Sequence, residues 1–253
     1  MQTYIERFTV RTYETRPDGL ASLPTICNYF QETASNHARE LNWAFDDLNK
    51  RNKLWALNRL TVDILDYPVW QEEVQVETWP SHGDKLRAYR DFKLLNKDGD
   101  VLSKAVSQWV ILDMESRRPV PIPEEILDLS EADMDHIVPI PDKKIPLLND
   151  EDQKVSTNIK AHFNDLDLNG HVNNVTYICW MLESLPNDLL LQNIPVKLDI
   201  QFRGECNAGN HIQAAYKSSE YTGENNCAVY QHALTMQATD APVAAAELTL
   251  KHR

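Results

Sequence analysis

The sequence predicts an α+β protein in which one module, a core helix wrapped by an antiparallel sheet, occurs twice. Two stretches, 23–41 and 172–185, have helical apolar spacing, and each follows a strand-like run and a turn. Each is followed by several runs in which apolar and polar residues alternate, as in half-buried strands. Aligned without a gap, the halves pair Leu23 with Val172 and Ile26 with Val175, so the apolar frame repeats.

The first half begins with a predicted strand, 3–15, and a turn at 16–19 that contains Pro17 and Gly19. The helix 23–41 comes next. Its predicted buried face comprises Ile26, Tyr29, Phe30, Thr33, Ala34, His37 and Leu41. The segment 43–53 is polar and is predicted to be irregular.

Four predicted strands complete the first half, and the last two are joined by a hairpin signal at 97–100. These strands are 54–65, 73–79, 86–95 and 101–112. A proline-rich stretch then breaks the sheet pattern, and the polar segment 129–154 is interpreted as a connector between domains.

The second half repeats this order, with a strand at 155–163, a polar turn at 165–170 and the helix 172–185, which Pro186 ends. Its remaining predicted strands are 196–203, 211–219, 227–237 and 243–251. We therefore expect an N-terminal domain over 1–140, a linker over 141–154 and a C-terminal domain over 155–253.

Composition excludes several classes of protein. The 253 residues are 42% hydrophobic, enough for a core, yet no apolar run is long enough to cross a membrane. A net charge of −13 disfavours nonspecific nucleic-acid binding. The four cysteines show no CxxC or metal-like spacing, which favours a reducing, cytoplasmic compartment. No metal site and no glycine-rich phosphate loop is recognisable, so we expect no cofactor.

The turn before the second helix carries the candidate chemistry. Asp167, Asn169 and His171 lie just before the apolar stripe, where we expect the N-terminus of a buried helix to favour negative charge. An acid, an amide and an imidazole there could form a hydrolytic site. The alternative is that these residues only form the turn and cap the helix.

Several segments of the sequence resemble those of a known family. The stretch NDLDLNGHVNNVTYICWMLES, residues 164–184, resembles the signature of acyl-[acyl-carrier-protein] thioesterases of plant plastids and bacteria. Four further segments are similar to other parts of that family: FQETASNHAREL, DYPVWQEEVQVETWP, SRRPVPIPEEI and FRGEC. The resemblance implies two tandem hotdog domains and hydrolysis of fatty acyl-ACP to free fatty acid and ACP, which terminates fatty acid synthesis. The missing N-terminal extension favours the bacterial type.

The resemblance also implies the site residues, which are Asp167, Asn169, His171 and Glu205, with Cys206 beside them. We expect Glu205 or Asp167 to activate a water molecule or to attack directly, Asn169 to orient the thioester, and His171 to steady the charge. Cys206 is the alternative nucleophile, with His171 as its base. A thiolate leaves readily, so a carboxylate base is sufficient, and we do not expect Cys206 to be essential.

The first half lacks this polar set, so the resemblance implies that it binds the acyl chain. Candidate residues for substrate binding are Ile26, Phe30, Trp55, Leu57 and Trp109; ordinary core packing is the alternative for each. An acidic carrier protein would need positive charge, and the densest basic groups are Lys85, Arg87 and Arg90, and Arg117 with Arg118.

Two other functions stay open. An acyl-CoA thioesterase on the same fold would share the short motif. A noncatalytic acyl-binding protein or a dehydratase-like relative is the alternative from another class. The expected partner is acyl-ACP, with no nucleic acid and no membrane, and the chain is expected to be a monomer or a homodimer.

Overall fold

The computed structural model describes residues 3–130, 136–148, 155–218 and 226–253. The chain divides into two compact units, 1–140 and 141–253. The predicted linker 141–154 is described only over 141–148, because 149–154 lie outside the described residues. None of the helices in the described part combines the length and apolar character needed to cross a bilayer.

The first unit is an antiparallel sheet with one long helix. Its strands lie in the order β1-β3-β4-β5-β2, and β6 pairs with β5. The elements are β1 (Tyr4–Thr9), a 3-10 turn (Thr12–Glu14), α1 (Leu23–Glu40), α2 (Phe45–Asn49), β2 (Lys53–Ile64), β3 (Glu73–Ser81), β4 (Ala88–Asn96), β5 (Val101–Asp113), β6 (Pro119–Val120) and α3 (Glu124–Leu127).

Local signals fix the start of α1. The Ser22 hydroxyl accepts the Thr25 N–H at 3.1 Å, and Pro24 occupies the first turn, where its missing N–H costs nothing. The predicted buried face is confirmed except at Leu41, which is the half-buried C-cap. The helix lies against β1 and β3. The Phe30 ring contacts that of Phe92, with centroids 5.1 Å apart.

Two short helices were not predicted in the first unit. α2 lies in the predicted polar segment, and α3 lies in the proline-rich stretch. Leu48 of α2 and Ile126 of α3 are buried in a second hydrophobic cluster with Ile111 and Ile122. One turn of helix is too short to display an apolar period, which is why the pattern does not reveal it.

The second unit has the same strand order as the first, β7-β9-β10-β11-β8, when strands are counted from the start of each unit. Its helix α4 lies against β9 and β10. The elements are β7 (Val155–Lys160), a 3-10 turn (Phe163–Asp165), α4 (Asn174–Glu183), α5 (Asn187–Gln192), β8 (Asn193–Phe202), β9 (His211–Ser218), β10 (Cys227–Met236) and β11 (Pro242–His252).

Several predicted bounds were wrong. The first strand of each unit is shorter than predicted, ending at Thr9 and Lys160, and a 3-10 turn follows each. α4 begins at Asn174 because Val172 is extended and forms an isolated bridge with Leu166. The predicted end of β9 at 219 lies outside the described residues.

The predicted pairing of the two halves was wrong by two positions. Ser22 and Asn173 are the equivalent helix caps, and the bridge Thr15–Ala21 matches Leu166–Val172. The equivalent of Leu23 is therefore Asn174, not Val172. The gapless alignment failed because it counted the extended Val172 as part of the helical stripe.

Candidate active site

A tight turn in the second unit presents the predicted polar residues. The Asp167 N–H donates to the His171 carbonyl at 2.8 Å, and the Gly170 N–H donates to the Asp167 carbonyl at 3.0 Å. Gly170 has φ +75°, in the left-handed region that a residue without a Cβ enters at least cost. The turn therefore brings Asp167, Asn169 and His171 to one loop.

The Asp167 carboxylate organises this turn. One of its oxygens accepts the Asn169 backbone N–H at 2.8 Å, and the other accepts the Asn169 side-chain amide at 3.4 Å. Asp167 is half-buried, whereas Asn169 is exposed. The acid and the amide that the sequence predicts are thus adjacent, and the amide is open to a ligand.

The relation of the turn to α4 differs from the prediction. Asn173 caps the helix, and its side-chain oxygen accepts the Val175 N–H at 2.8 Å. His171 lies two residues before that cap, so the helix begins two residues further from the predicted site residues than the apolar pattern indicated. That the N-terminus of α4 favours negative charge at these residues stays a prediction.

Glu205 lies in the loop after β8, and the structure brings it to His171. The His171 Nε2 and Glu205 Oε2 atoms are 3.6 Å apart, with side chains 28% and 40% exposed. Such an exposed pair contributes at most about 1 kcal/mol to stability when the imidazole is protonated. Its partial exposure leaves both groups accessible to a reacting molecule.

The loop that carries Glu205 is fixed by hydrogen bonds on either side of it. The Val172 N–H donates to the Cys206 carbonyl at 2.8 Å. The Tyr177 hydroxyl accepts the Cys206 N–H at 3.0 Å and donates to the Gly204 carbonyl at 3.3 Å. These bonds connect the Glu205 loop to the turn and to α4.

Cys206 itself points into the protein. It is 0% exposed, and burial raises the pKa of its thiol, so the thiol stays protonated at neutral pH. A buried thiol with a raised pKa is a poor nucleophile. Within the described residues, no group of three or more His, Cys, Asp or Glu side chains could hold a metal ion.

The predicted substrate-binding residues fall in two places of the first unit. Ile26 and Phe30 lie on the buried face of α1. Leu57 pairs with Trp109 across β2 and β5, and the Trp55 and Trp109 rings meet edge to face at 6.4 Å. These three are half-buried.

Of the first predicted basic group, Lys85 and Arg87 are exposed and Arg90 is half-buried. The Arg87 guanidinium is paired with the Asp84 carboxylate at 2.6 Å. Arg90 donates to the His37 ring at 2.8 Å, and burial lowers the pKa of its guanidinium to about 10. Lys85 is exposed and lines a surface groove of about 680 Å³ with Lys53 and the proline-rich stretch.

Sequence reasoning missed the roles of Asn173 and Tyr177. The dipeptide Asn173-Asn174 before the helical stripe is a cap signal, so the start of α4 could have been found. The bonds from Tyr177 to 204–206 join residues distant in the sequence, and no local pattern announces them.

Comparison with known families assigns the chain. Residues 1–130 match the family model of the acyl-ACP thioesterase N-terminal domain, and residues 148–251 match that of the C-terminal domain. The chain belongs to the acyl-ACP thioesterase family. The fold that this family shares is mixed α/β, with extensive antiparallel sheet and few helices, as the two units have it.

Named relatives agree with this assignment. A chloroplastic palmitoyl-acyl carrier protein thioesterase of Gossypium hirsutum is 34% identical over 233 residues, covering 88% of this chain and 56% of the relative. A chloroplastic oleoyl-acyl carrier protein thioesterase 1 of Arabidopsis thaliana is 31% identical, covering 88% of this chain and 66% of the relative. The chain thus spans between about half and two thirds of the length of these relatives.

Solved structures agree in fold. The 12:0-ACP thioesterase from Umbellularia californica is 26% identical, with a TM-score of 0.86. The match covers 99% of this chain and 94% of the Umbellularia chain. A putative oleoyl thioesterase from Lactobacillus plantarum, 23% identical, has a TM-score of 0.89 and covers 99% and 96%.

Proposed function

We propose that the protein hydrolyses the thioester of fatty acyl-ACP, releasing free fatty acid and ACP. The single observation that carries the proposal is the His171–Glu205 pair, 3.6 Å apart in a chain of this family. The Asp167–Asn169 turn adds a second acid and an exposed amide. Relatives named for palmitoyl-, oleoyl- and 12:0-ACP support a fatty acyl substrate.

Each unit is proposed to be a hotdog domain, with 1–140 N-terminal, 141–154 as the linker and 155–253 C-terminal. The shared strand order and the single long helix against each sheet support this. The protein is proposed to act as a monomer or a homodimer. Free thiols at all four cysteines are compatible with the proposed cytoplasmic location.

The proposed reaction is attack of water on the thioester carbonyl. A carboxylate, Glu205 or Asp167, takes a proton from the water molecule. At the same time the oxygen of the water bonds to the carbonyl carbon. The C–S bond then breaks, and the carrier's thiolate leaves with the electron pair and takes up the proton. Asn169 is proposed to donate an amide N–H to the substrate, and His171 to stabilise the charge beside Glu205.

The first unit is proposed to bind the acyl chain. At the turn equivalent to the active-site turn it has Arg16 and Asp18 in place of Asp167 and Asn169, and these form an ion pair at 3.2 Å. Leu20 stands at the position of His171. The half-buried Trp55, Leu57 and Trp109 offer apolar surface, with about 0.8 kcal/mol for each methylene group buried, whereas Ile26 and Phe30, proposed with them, are buried in the core.

The test is hydrolysis of acyl-ACP and acyl-CoA over a ladder of chain lengths, read by mass spectrometry of released fatty acid. Asp167→Ala removes the acid and its bond to the Asn169 N–H, and should abolish release. Asp18→Ala is the control, because it removes a bond of the same kind, from a carboxylate to the Leu20 N–H two residues further on, in the corresponding turn of the first unit. Equal turnover of acyl-CoA would overturn the carrier assignment, and no release from either substrate would favour an acyl-binding protein.

A further inference from the structure

Tyr177 is a core residue of α4, and the packing of its ring is sufficient to explain why it is buried. Tyr177 is 2% exposed. Its ring lies 5.4 Å from that of Trp180 and meets the Phe202 ring edge-on at 5.8 Å. These contacts need an aromatic ring and make no use of a hydroxyl group.

The Tyr177 hydroxyl binds the two residues on either side of Glu205. It accepts the Cys206 N–H at 3.0 Å and donates to the Gly204 carbonyl at 3.3 Å. Burial raises the pKa of the phenol, so the hydroxyl stays neutral and keeps the proton that it donates. One oxygen atom therefore holds the backbone before and after Glu205.

The surrounding backbone fixes the ends of this loop. The Arg203 and Gly204 N–H groups donate to the Val243 carbonyl at 2.9 and 3.2 Å, and the Val172 N–H donates to the Cys206 carbonyl at 2.8 Å. The Tyr177 hydroxyl adds a link across the loop between these ends.

The first unit supplies an internal comparison. Its backbone repeats the loop, since the Leu65 and Asp66 N–H groups donate to the Leu102 carbonyl and the Ala21 N–H donates to the Pro68 carbonyl. When the two loops are matched by these hydrogen bonds, Tyr67 stands at the position of Glu205. Ile26, which is 0% exposed, stands at the position of Tyr177. The first unit, which lacks the catalytic acid, thus has no hydroxyl at the position of Tyr177.

We propose that Tyr177 is a positioning residue whose hydroxyl holds Glu205 in place beside His171. This inference rests on the proposed function, in which Glu205 acts on the thioester. Half-exposed carboxylates reorient readily, and a displacement of about 1 Å in a reacting group can cost on the order of a hundredfold in rate. Fixing the backbone on both sides of Glu205 limits that displacement.

Tyr177→Phe is the direct test, because it keeps the ring and removes only the hydroxyl. We expect kcat on acyl-ACP to fall about ten- to a hundredfold while KM changes less than about twofold. Hydrogen exchange of the Cys206 amide should accelerate, whereas exchange elsewhere in α4 should not change. Tyr29→Phe is the matched control, since it removes a buried phenol bond to Glu14 in the first unit and should leave kcat unchanged.

A double-mutant cycle with Glu205→Gln separates positioning from general damage. If Tyr177 acts through Glu205, adding Tyr177→Phe to Glu205→Gln should lower kcat no further. An equal loss in both backgrounds, or full activity of Tyr177→Phe beside a crippled Glu205→Gln, would overturn the positioning role alone. Full activity of Glu205→Gln would instead overturn the catalytic assignment of Glu205, and the positioning role with it.

Discussion

Phe92 of β4 and His232 of β10 occupy the same position in two sheets of the same strand order. Their rows across the sheets are equivalent residue by residue: Tyr4, Thr78, Phe92, Ala105 and Val62 in the first unit, and Val155, Tyr216, His232, Ala246 and Ile200 in the second. Phe92 packs against Phe30, whereas neither ring nitrogen of His232 has a hydrogen-bond partner among the described residues. One unit thus has a polar side chain where the other has an apolar one.

His232→Phe should stabilise the protein. The His232 side chain is 1% exposed, and a buried polar group without a partner costs about 1–3 kcal/mol. We expect the free energy of unfolding, measured by urea denaturation, to rise by a similar amount. The reverse substitution, Phe92→His, should lower it. Destabilisation by His232→Phe would mean that the imidazole makes a favourable polar contact in solution.

Stability should fall as the pH is lowered below about 6.5. Burial lowers the pKa of His232 to about 3, and burial together with the Arg90 charge lowers that of His37 to about 4. Since the unfolded state binds a proton at each site near pH 6.5, it gains protons that the folded state does not. For each histidine, the free energy of unfolding should fall by up to about 1.4 kcal/mol per pH unit.

The pH range and control for this prediction follow from the same two pKa values. The slope should extend from about pH 6.5 down to about 4 for His37 and to about 3 for His232. Urea denaturation at pH 7, 6 and 5 measures this slope of the free energy of unfolding against pH. His232→Phe should remove the contribution of His232 and leave that of His37. An unchanged slope in that variant would contradict the prediction.

Cys206→Ala should retain activity within a few-fold of the wild type. The thiol is fully buried with a raised pKa, so it supplies little thiolate. Glu205→Gln, by contrast, should lower kcat by about two to four orders of magnitude, the usual contribution of a general base. Initial rates of fatty acid release from acyl-ACP measure both. Equal losses in two folded variants would restore Cys206 as the nucleophile.

Much of the fold follows from local sequence signals. β3 was predicted from the alternation of Val74, Val76 and Thr78, and all three are buried. Ser22 and Pro24 mark the start of α1, and that start was predicted correctly. α4 was placed two residues early because an apolar residue in an isolated bridge looks the same as an apolar residue in a helix.

The candidate site was only partly predictable. Asp167, Asn169 and His171 share one turn and can be found together by inspection. Glu205 comes from a distant loop, and only the family resemblance connected it to them before the structure did. The equivalence of Ile26 with Tyr177 depends on the correct alignment of the units, which requires the caps and bridges and not the apolar pattern alone.

Gly170→Ala should separate the catalytic turn from its structural counterpart. Gly170 and Gly19 have φ +75° and +82°, and a Cβ at either would meet no atom within 4 Å. Each substitution should therefore cost about 1–2 kcal/mol of stability through backbone strain alone. Because Gly170 holds the turn that carries Asp167, Asn169 and His171, only Gly170→Ala should also lower kcat on acyl-ACP.

Thermal unfolding and fatty acid release measured on both glycine variants check this. Gly19→Ala is the matched control, since it strains the turn of Arg16 and Asp18 in the unit without the catalytic set. Equal loss of kcat in the two variants would mean that strain in either unit is transmitted to the reaction. A loss confined to Gly170→Ala would show that the rate depends on the geometry of this turn rather than on overall stability.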